Sequence, residues 1–186
     1  MTTEELEAKL EGQTESQNLE FKGDVAWDVK SIIKDVLAMS NLQDGGYIIL
    51  GINDKSLERI GISSANMETY NYDIMKDQIA PYADPFVDFR LYFPKDKDGK
   101  DYVVIRIFPF RQIPTICRKD GADVRAGVIY YRNNNGRPQS AAVSNSNDMR
   151  DIIEVATLKM MQKKKEIGFT AEVDDKSKLD KELMGL

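Results

Sequence analysis

Residues 44–54 read Asp-Gly-Gly-Tyr-Ile-Ile-Leu-Gly-Ile-Asn-Asp, and this stretch decides the fold. Its centre, residues 47–52, is nearly all apolar, which is typical of a strand that is buried on both faces. The two glycines favour a plain turn from a preceding helix, although they would also let a phosphate approach backbone N–H groups. Asp54 follows the strand at its carboxyl end, where open sheets commonly place ligand sites. The stretch therefore predicts a central strand with a candidate site at its end.

The segments on the N-terminal side predict a strand and two helices. Residues 18–22, Asn-Leu-Glu-Phe-Lys, alternate between apolar and polar side chains, as a strand does. Residues 27–41 carry apolar side chains at helical spacing and predict a helix with one buried face. At the start of the chain, Thr2 and Glu5 fit a capping box, which predicts a short N-terminal helix.

The rest of the chain mixes helices and strands without steady alternation. Residues 67–80 predict a helix whose inward residues are Tyr70, Ile74, Met75 and Ile79. Two alternating segments around an Asp-Gly turn predict a hairpin, and shorter segments predict two more strands, a turn and a last helix. These are residues 87–93 and 103–107 for the hairpin, 115–118 and 128–132 for the strands, 133–136 for the turn and 148–165 for the helix. The expected fold class is α+β, with a small mixed β-sheet flanked by helices.

One domain with short appendages suits a chain of 186 residues, 41% of them apolar. We expect an N-terminal helix over residues 1–11, the main domain over 12–145, a C-terminal helix over 146–166, and a mobile, charged tail over 167–186. No apolar run is long enough to cross a bilayer, and the acidic N-terminus lacks a signal-peptide pattern. The sequence therefore predicts a cytoplasmic protein with no membrane partner.

The composition excludes several kinds of chemistry. The chain has no histidine, which removes Ser-His and Cys-His catalysis and most zinc sites. Its single cysteine, Cys117, excludes an intramolecular disulfide and a multi-cysteine zinc site, and is interpreted as a small buried residue. No Gly-x-x-x-x-Gly-Lys-Ser/Thr motif occurs, so no P-loop ATP site is predicted.

Charge is distributed unevenly. A net charge of −5 weighs against a general nucleic-acid coat, but residues 106–137 contain seven basic and two acidic residues. Either this segment forms a basic face or its strands simply present arginines to solvent. The residues predicted to bind nucleic acid are Lys22, Arg118, Arg125, Tyr131, Arg132 and Arg137, because arginine forks to phosphates and tyrosine stacks on bases.

Three carboxylates, Glu15, Glu20 and Asp54, form the candidate catalytic group together with Lys22. Glu20 and Lys22 are two residues apart on a predicted strand and therefore point to the same side. Three converging carboxylates would hold Mg²⁺ or Mn²⁺, and the lysine would neutralise a phosphate. The alternative is that these carboxylates are simply solvated at strand ends.

Residues 15–22, 38–41 and 45–54 together resemble the Schlafen AlbA_2 domain. The later Ile105-Arg106-Ile107, Pro114 and residues 129–132 resemble the second half of the same domain, so the likeness covers roughly residues 12–145. The chain departs from the family at Met39-Ser40-Asn41-Leu42, where Phe-Ala-Asn-Thr is usual.

The resemblance implies a small mixed sheet and association with nucleic acid. Bacterial members are often described as DNA-binding modules or transcriptional regulators, whereas some vertebrate Schlafens cleave tRNA and rRNA with two glutamates and an aspartate. By motif matching these three correspond to Glu15, Glu20 and Asp54, and Lys22 matches the lysine beside them. The vertebrate enzymes pair two lobes, so a homodimer of this chain would supply the second.

Two functions remain open from the sequence. The first is a metal-dependent endoribonuclease that uses the carboxylates and Lys22. The second is a non-catalytic DNA-binding or regulatory module that grips phosphates with its arginines. A smaller alternative is a protein–protein role, in which the methionine-rich last helix is the contact.

Overall fold

The computed structural model describes residues 1–12, 14–133 and 138–168. Its five α-helices and eight strands follow in chain order, with a 3₁₀ turn at Ala80–Tyr82 after the fourth helix. They are α1 Thr3–Leu10, β1 Leu19–Lys22, α2 Val29–Ser40, β2 Gly46–Leu50, α3 Ser64–Met67, α4 Tyr72–Ile79, β3 Ala83–Asp84, β4 Phe89–Tyr92, β5 Val103–Ile107, β6 Ile116–Cys117, β7 Tyr130–Asn133, β8 Gln139–Ala142 and α5 Ser146–Glu166.

A four-stranded mixed sheet in the order β1-β2-β5-β4 forms the centre of the molecule. β1 runs parallel to β2, and β5 runs antiparallel to both β2 and β4. The apolar stretch at residues 47–52 thus provides an inner strand, as its composition predicts. The α+β class and the mixed sheet are confirmed.

The sheet has an apolar layer on each face because successive side chains of a strand point to opposite sides. Ile48 and Ile105 pack towards α2 and α4 in the larger core. Ile49 and Val104 face the other way and pack with Phe21 and with α1. Helix α1 begins with the predicted capping box, in which the Thr2 side chain accepts from Glu5 N.

Two small antiparallel pairs complete the domain, β3 with β6 and β7 with β8. The buried side chain of Asn41, at the end of α2, joins them to the core. Its Nδ2 donates to Thr115 O and Tyr130 O, both at 2.9 Å, and its Oδ1 accepts from Thr115 N at 2.8 Å. One amide therefore fixes the end of α2 against the segments that lead into β6 and β7.

The single helix predicted over residues 67–80 is wrong, because the structure divides it into α3 and α4. Asn71 starts a new helix by accepting hydrogen bonds from Asp73 N and Ile74 N with its side chain. Tyr70, Met75 and Ile79 are buried as predicted, but Ile74 is 52% exposed. The restart at Asn71 changes the helical phase and turns Ile74 outward.

The turn before β2 is a plain chain reversal, as the sequence favours. Gly45 has φ of 68°, and a Cβ at this position would collide with the carbonyl oxygen of Ile107. Glycine is therefore required by close backbone packing at this point.

Some of the other expectations concern residues that the structure describes, and some concern residues that it does not describe. Cys117 is buried and unbridged, and α5 lies where the last helix is predicted. Strands β3 and β8 are additional to the prediction. Most of the predicted turn at 133–136 and nearly all of the predicted tail at 167–186 lie outside the described residues. None of the described helices is both long and apolar enough to pass through a membrane.

Candidate functional site

A charged cleft of about 340 Å³ lies beside the edge strand β1. It is bounded by β1, the first half of α2, the segment after β2 and the start of β8. Its charged lining consists of the carboxylates Glu15, Glu20, Asp35, Asp54 and Asp123 and the cations Lys22, Lys30, Lys34 and Arg132. The structure therefore brings together all four predicted catalytic residues.

The positions of β1 and α2 explain why these charged side chains lie close together. Glu20 and Lys22 lie two residues apart on β1 and point to the side on which α2 packs. Asp35 projects from α2 towards them, while Lys30 and Lys34, one helical turn apart, line the cleft beside it.

Arg132 is the most deeply buried charge of the cleft, with its side chain 1% exposed. Its Nη2 lies 2.6 Å from Oε2 of Glu20, and its guanidinium also donates to the carbonyl oxygens of Ser16 and Leu19. Strand β7 is thereby joined to β1. Because its donors are directed into the protein, Arg132 supports the floor of the cleft.

Lys22 lies between two carboxylates. Its Nζ is 3.1 Å from Oδ2 of Asp35 and 3.6 Å from Oε1 of Glu20. Burial by itself would lower the pKa of Lys22, but the charges of Asp35 and Glu20 outweigh it and raise the pKa. Asp35 also accepts a hydrogen bond from Ser140 Oγ at 2.7 Å, which joins β8 to the same group. Lys22 therefore remains a cation throughout the neutral range.

Glu20 has its pKa raised, first by burial and then by the nearby charge of Asp35. Arg132 and Lys22 oppose this shift without cancelling it. Glu20 consequently takes up a proton at milder acidity than an ordinary glutamate does.

The remaining two predicted carboxylates lie at the cleft without meeting Glu20 at one point. Glu15 is half-buried, and its Oε1 accepts from Phe21 N at 3.3 Å, whereas Asp54 is exposed. Among the residues that the structure describes, no three His, Cys, Asp or Glu side chains form a group that could hold a metal ion. Oxygen donors suit Mg²⁺, but those of Glu20 already face Arg132 and Lys22, so this arrangement does not fit a preformed metal site. The Mg²⁺ or Mn²⁺ ion stays a prediction.

Three of the predicted nucleic-acid-binding residues lie away from the cleft. Arg118 and Arg125 are exposed but do not line it. Tyr131 is 7% exposed, and its hydroxyl accepts from Gln17 Nε2 and faces Asp151. Arg137 lies outside the described residues. Of the five that the structure describes, Lys22 and Arg132 line the cleft and the other three do not.

Sequence reasoning missed Asp35, Lys30 and Lys34. The signal for Asp35 was an acidic residue within the buried face of α2, three residues after Ile32 and next to Val36. A charge at such a position requires a buried partner. In the sequence, Lys30 and Lys34 resemble any pair of solvated lysines on a helix. They become candidates for the site because α2 lies beside β1 in the structure.

A larger groove of about 1040 Å³ follows the opposite edge of the sheet, along β4. Aromatic side chains such as Tyr72, Phe93 and Phe108 line it. Among the described residues, none of those predicted in the candidate catalytic and nucleic-acid-binding sets lies there. The charged cleft is therefore the candidate site because of its chemistry, not because of its size.

Known proteins resemble this chain over most of its length. A family model described as "Schlafen, AlbA_2" matches residues 15–140. The crystal structure of the DIP2311 protein from Corynebacterium diphtheriae aligns with a TM-score of 0.50 and 16% identity, covering 80% of this chain and 28% of that one. The solution structure of the N-terminal domain of a RecG-related protein from Nitrosomonas europaea aligns with a TM-score of 0.48 and 22% identity, covering 78% and 96%.

These similarities differ in what they support. The chain spans only 28% of the Corynebacterium protein, and at 16% identity that likeness supports the fold alone. No curated protein matches the chain.

Proposed function

Because this chain belongs to the Schlafen AlbA_2 family, whose model matches residues 15–140, we propose that its charged cleft binds the phosphodiester backbone of a nucleic acid. The observation that carries the proposal is the row of lysines on one side of the cleft. Lys30 and Lys34 extend the charge of Lys22 along α2 to the surface. Lysine side chains that converge on one cleft are the usual means of holding phosphates.

The carboxylates of the cleft limit how a nucleic acid is held. Five acidic residues line it beside four basic ones, so phosphates are repelled from the side of Asp54 and Asp123. A backbone bound by the lysines would therefore pass along α2. Affinity rests on few contacts and should fall as salt rises.

Binding is tested with labelled tRNA, single-stranded RNA and duplex DNA, by fluorescence anisotropy at several salt concentrations. The Lys30→Ala/Lys34→Ala variant should bind at least about tenfold more weakly, a loss of about 1.4 kcal/mol. The matched control is Lys76→Ala/Lys97→Ala, which removes two exposed lysines that do not line the cleft. Equal losses in both variants would mean that only net charge matters, and unchanged binding in both would exclude the cleft.

Cleavage of RNA is a second candidate, favoured by the presence of Glu15, Glu20, Lys22 and Asp54 in one cleft. A carboxylate on one wall would take a proton from the attacking hydroxyl or water, whose oxygen bonds to phosphorus as the bond from phosphorus to the leaving oxygen breaks. Lys22 would stabilise the charge on the phosphate, and the leaving oxygen would take a proton from solvent. The assay compares RNA integrity with Mn²⁺ and with EDTA, because the metal requirement is part of the prediction.

The geometry decides which variants are informative for cleavage. Glu20→Ala would leave Arg132 buried without its carboxylate and would destabilise the fold. Asp54→Asn is the clean variant because Asp54 is exposed, and Glu20→Gln keeps the volume and a hydrogen-bond acceptor. Cleavage by the wild type that disappears in Asp54→Asn supports an enzyme, and intact RNA with every metal supports a binding module.

A further inference from the structure

Helix α5 carries an apolar stripe on its outer face. Although it spans Ser146–Glu166, only Ile152 is fully buried among its side chains. Ile153, Met160 and the C-cap residue Ile167 are 55%, 47% and 69% exposed. A surface helix normally buries its apolar side chains, and α5 leaves these three exposed beside its polar ones.

The stripe has the spacing of a helix–helix seam, with steps that alternate between four and three residues. Its six positions are Met149, Ile153, Ala156, Met160, Lys163 and Ile167. Five of the six are apolar, which is the a/d pattern of a two-helix interface. The side of α5 that faces the domain borders this stripe: Ile152 is buried, Lys159 lies over the ring of Phe110, and the neighbouring Met149 and Ala156 are half-buried, whereas Ile153, Met160 and Ile167 are exposed.

Charge is divided between the two halves of α5. The half from 146 to 155 has three acidic residues, Asp148, Asp151 and Glu154, and one basic residue, Arg150. The half from 157 to 166 has four lysines, at 159, 163, 164 and 165, and one acidic residue, Glu166. Two parallel copies of α5 would place like charges together, whereas two antiparallel copies would place each acidic half beside a basic half.

We propose that α5 is a homodimer contact, in which it packs antiparallel against α5 of a second copy. If the two antiparallel helices are centred on each other at the level of Leu158, each position of the stripe lies opposite a stripe position of the partner subunit. Ala156 meets Met160 of the partner subunit, Met149 meets Ile167 of the partner subunit, and Lys163 meets Ile153 of the partner subunit. The lysine stem lies along apolar surface while its ammonium group reaches the partner's acidic half.

The same helix thus supplies both complementary charges and both sides of the seam, and a second copy is therefore the occupant that fits. This interface leaves the charged cleft of each subunit open, since none of the seam residues lines it. The inference stands independently of the function proposed for the cleft.

The first test is the mass of the full chain in solution, measured by light scattering over a range of concentrations. We expect twice the monomer mass of 21.1 kDa for the wild type, and a monomer for Ile153→Glu/Met160→Glu. The matched control is Ile113→Glu, which changes a residue that is 58% exposed and lies outside α5, and this variant should stay a dimer. A wild type that is monomeric at every concentration, or a double variant that remains dimeric, overturns the proposal.

A second test gives the orientation and does not depend on charged substitutions. The only native cysteine, Cys117, is buried and does not interfere. In the antiparallel arrangement the two copies of position 149 are about 27 Å apart, because eighteen residues rise about 1.5 Å each, so Met149→Cys cannot link to itself. A mixture of Met149→Cys and Ile167→Cys should form the heterodimeric disulfide under mild oxidation. Efficient Met149→Cys self-linkage without the mixed product overturns the antiparallel arrangement.

Discussion

Nη2 of Arg132 lies 2.6 Å from Oε2 of Glu20, inside the protein. These two residues were predicted to act separately, the arginine on phosphates and the glutamate on the reaction. Their contact makes them a structural pair that fastens β7 to β1, with Ser16 O and Leu19 O accepting from the same guanidinium. Lys22, between Glu20 and Asp35, is the cation of β1 that lines the cleft beside Lys30 and Lys34 of α2.

Arg132→Met should destabilise the protein strongly, because it leaves Glu20 buried beside only one weaker partner. Removing one member of a buried ion pair costs about 3–5 kcal/mol. Urea unfolding measures the loss. Arg125→Ala, at an exposed position in the segment before β7, should change stability by less than about 0.5 kcal/mol. Similar stability of the Arg132 variant and the wild type would contradict the buried pairing.

Asn41→Ala should also destabilise the fold, by about 3 kcal/mol or more. It leaves Thr115 N without its acceptor and two carbonyl oxygens without their donor, and each buried orphan costs about 1–3 kcal/mol. Guanidinium unfolding measures the loss, and the control is Gln43→Ala, which removes an exposed amide two residues later. The difference between the two variants is the contribution of the buried hydrogen bonds of Asn41. The prediction fails if the two variants unfold at the same denaturant concentration.

The salt dependence of nucleic-acid binding should change with the lysines of α2. Each phosphate contact contributes a slope of about 0.7 for single strands and about 0.9 for duplexes in a plot of log affinity against log salt. Lys30→Ala/Lys34→Ala should reduce the slope by up to two such contacts. If affinity falls but the slope does not, the lysines act by shaping the cleft rather than by contacting phosphates.

Stability should fall in alkaline solution because of two buried tyrosines. Burial and the hydrogen bond to Asp96 raise the pKa of Tyr102, and burial raises the pKa of Tyr70. In the unfolded chain both ionise at about pH 10, so the stability that they contribute is complete below that pH and is lost as pH rises above it.

The check is the thermal midpoint from about pH 8 to about pH 11, for wild type and Tyr102→Phe. Each tyrosine contributes a loss of up to about 1.4 kcal/mol per pH unit. Tyr102→Phe starts less stable, since it loses one hydrogen bond, but its stability should fall less steeply. Equal slopes would show that Tyr102 ionises as readily in the folded protein as in the unfolded chain.

The sequence predicted elements better than it predicted partners. Alternation of apolar and polar residues identified β4 and β5, and the apolar run identified β2, because burial sets the pattern of apolar residues along each strand. The pattern of apolar residues gave the wrong helix at residues 67–80, where the side chain of Asn71 starts a new helix inside a continuous apolar pattern. Strand β8, Gln139–Ala142, has little apolar content and exists by pairing with β7.

For the candidate site, motif positions singled out Glu15, Glu20, Lys22 and Asp54, and all four line the charged cleft. They did not show that Arg132 points inward, because whether an arginine on a strand faces solvent or a buried glutamate depends on which strand lies beside it. Asp35 was missed for the same reason. Its partners, Lys22 and Ser140, are 13 and 105 residues away in the chain.

The β7–β8 hairpin, which closes the cleft with Arg132 and Ser140, also sets the shortest chain that can carry the site. A truncation that ends before residue 132 removes both Arg132 and Ser140 and leaves Lys22 as the cation beside Glu20 and Asp35, and buried charges that are incompletely balanced favour unfolding. Deletions that remove β7 and β8 should therefore unfold the protein, and the loss of ligand binding in such fragments would not locate the binding site. Because Arg132 and Ser140 hold β1 and α2 through this charge network, point substitutions on the rim, which leave the network intact, are the means of mapping the site.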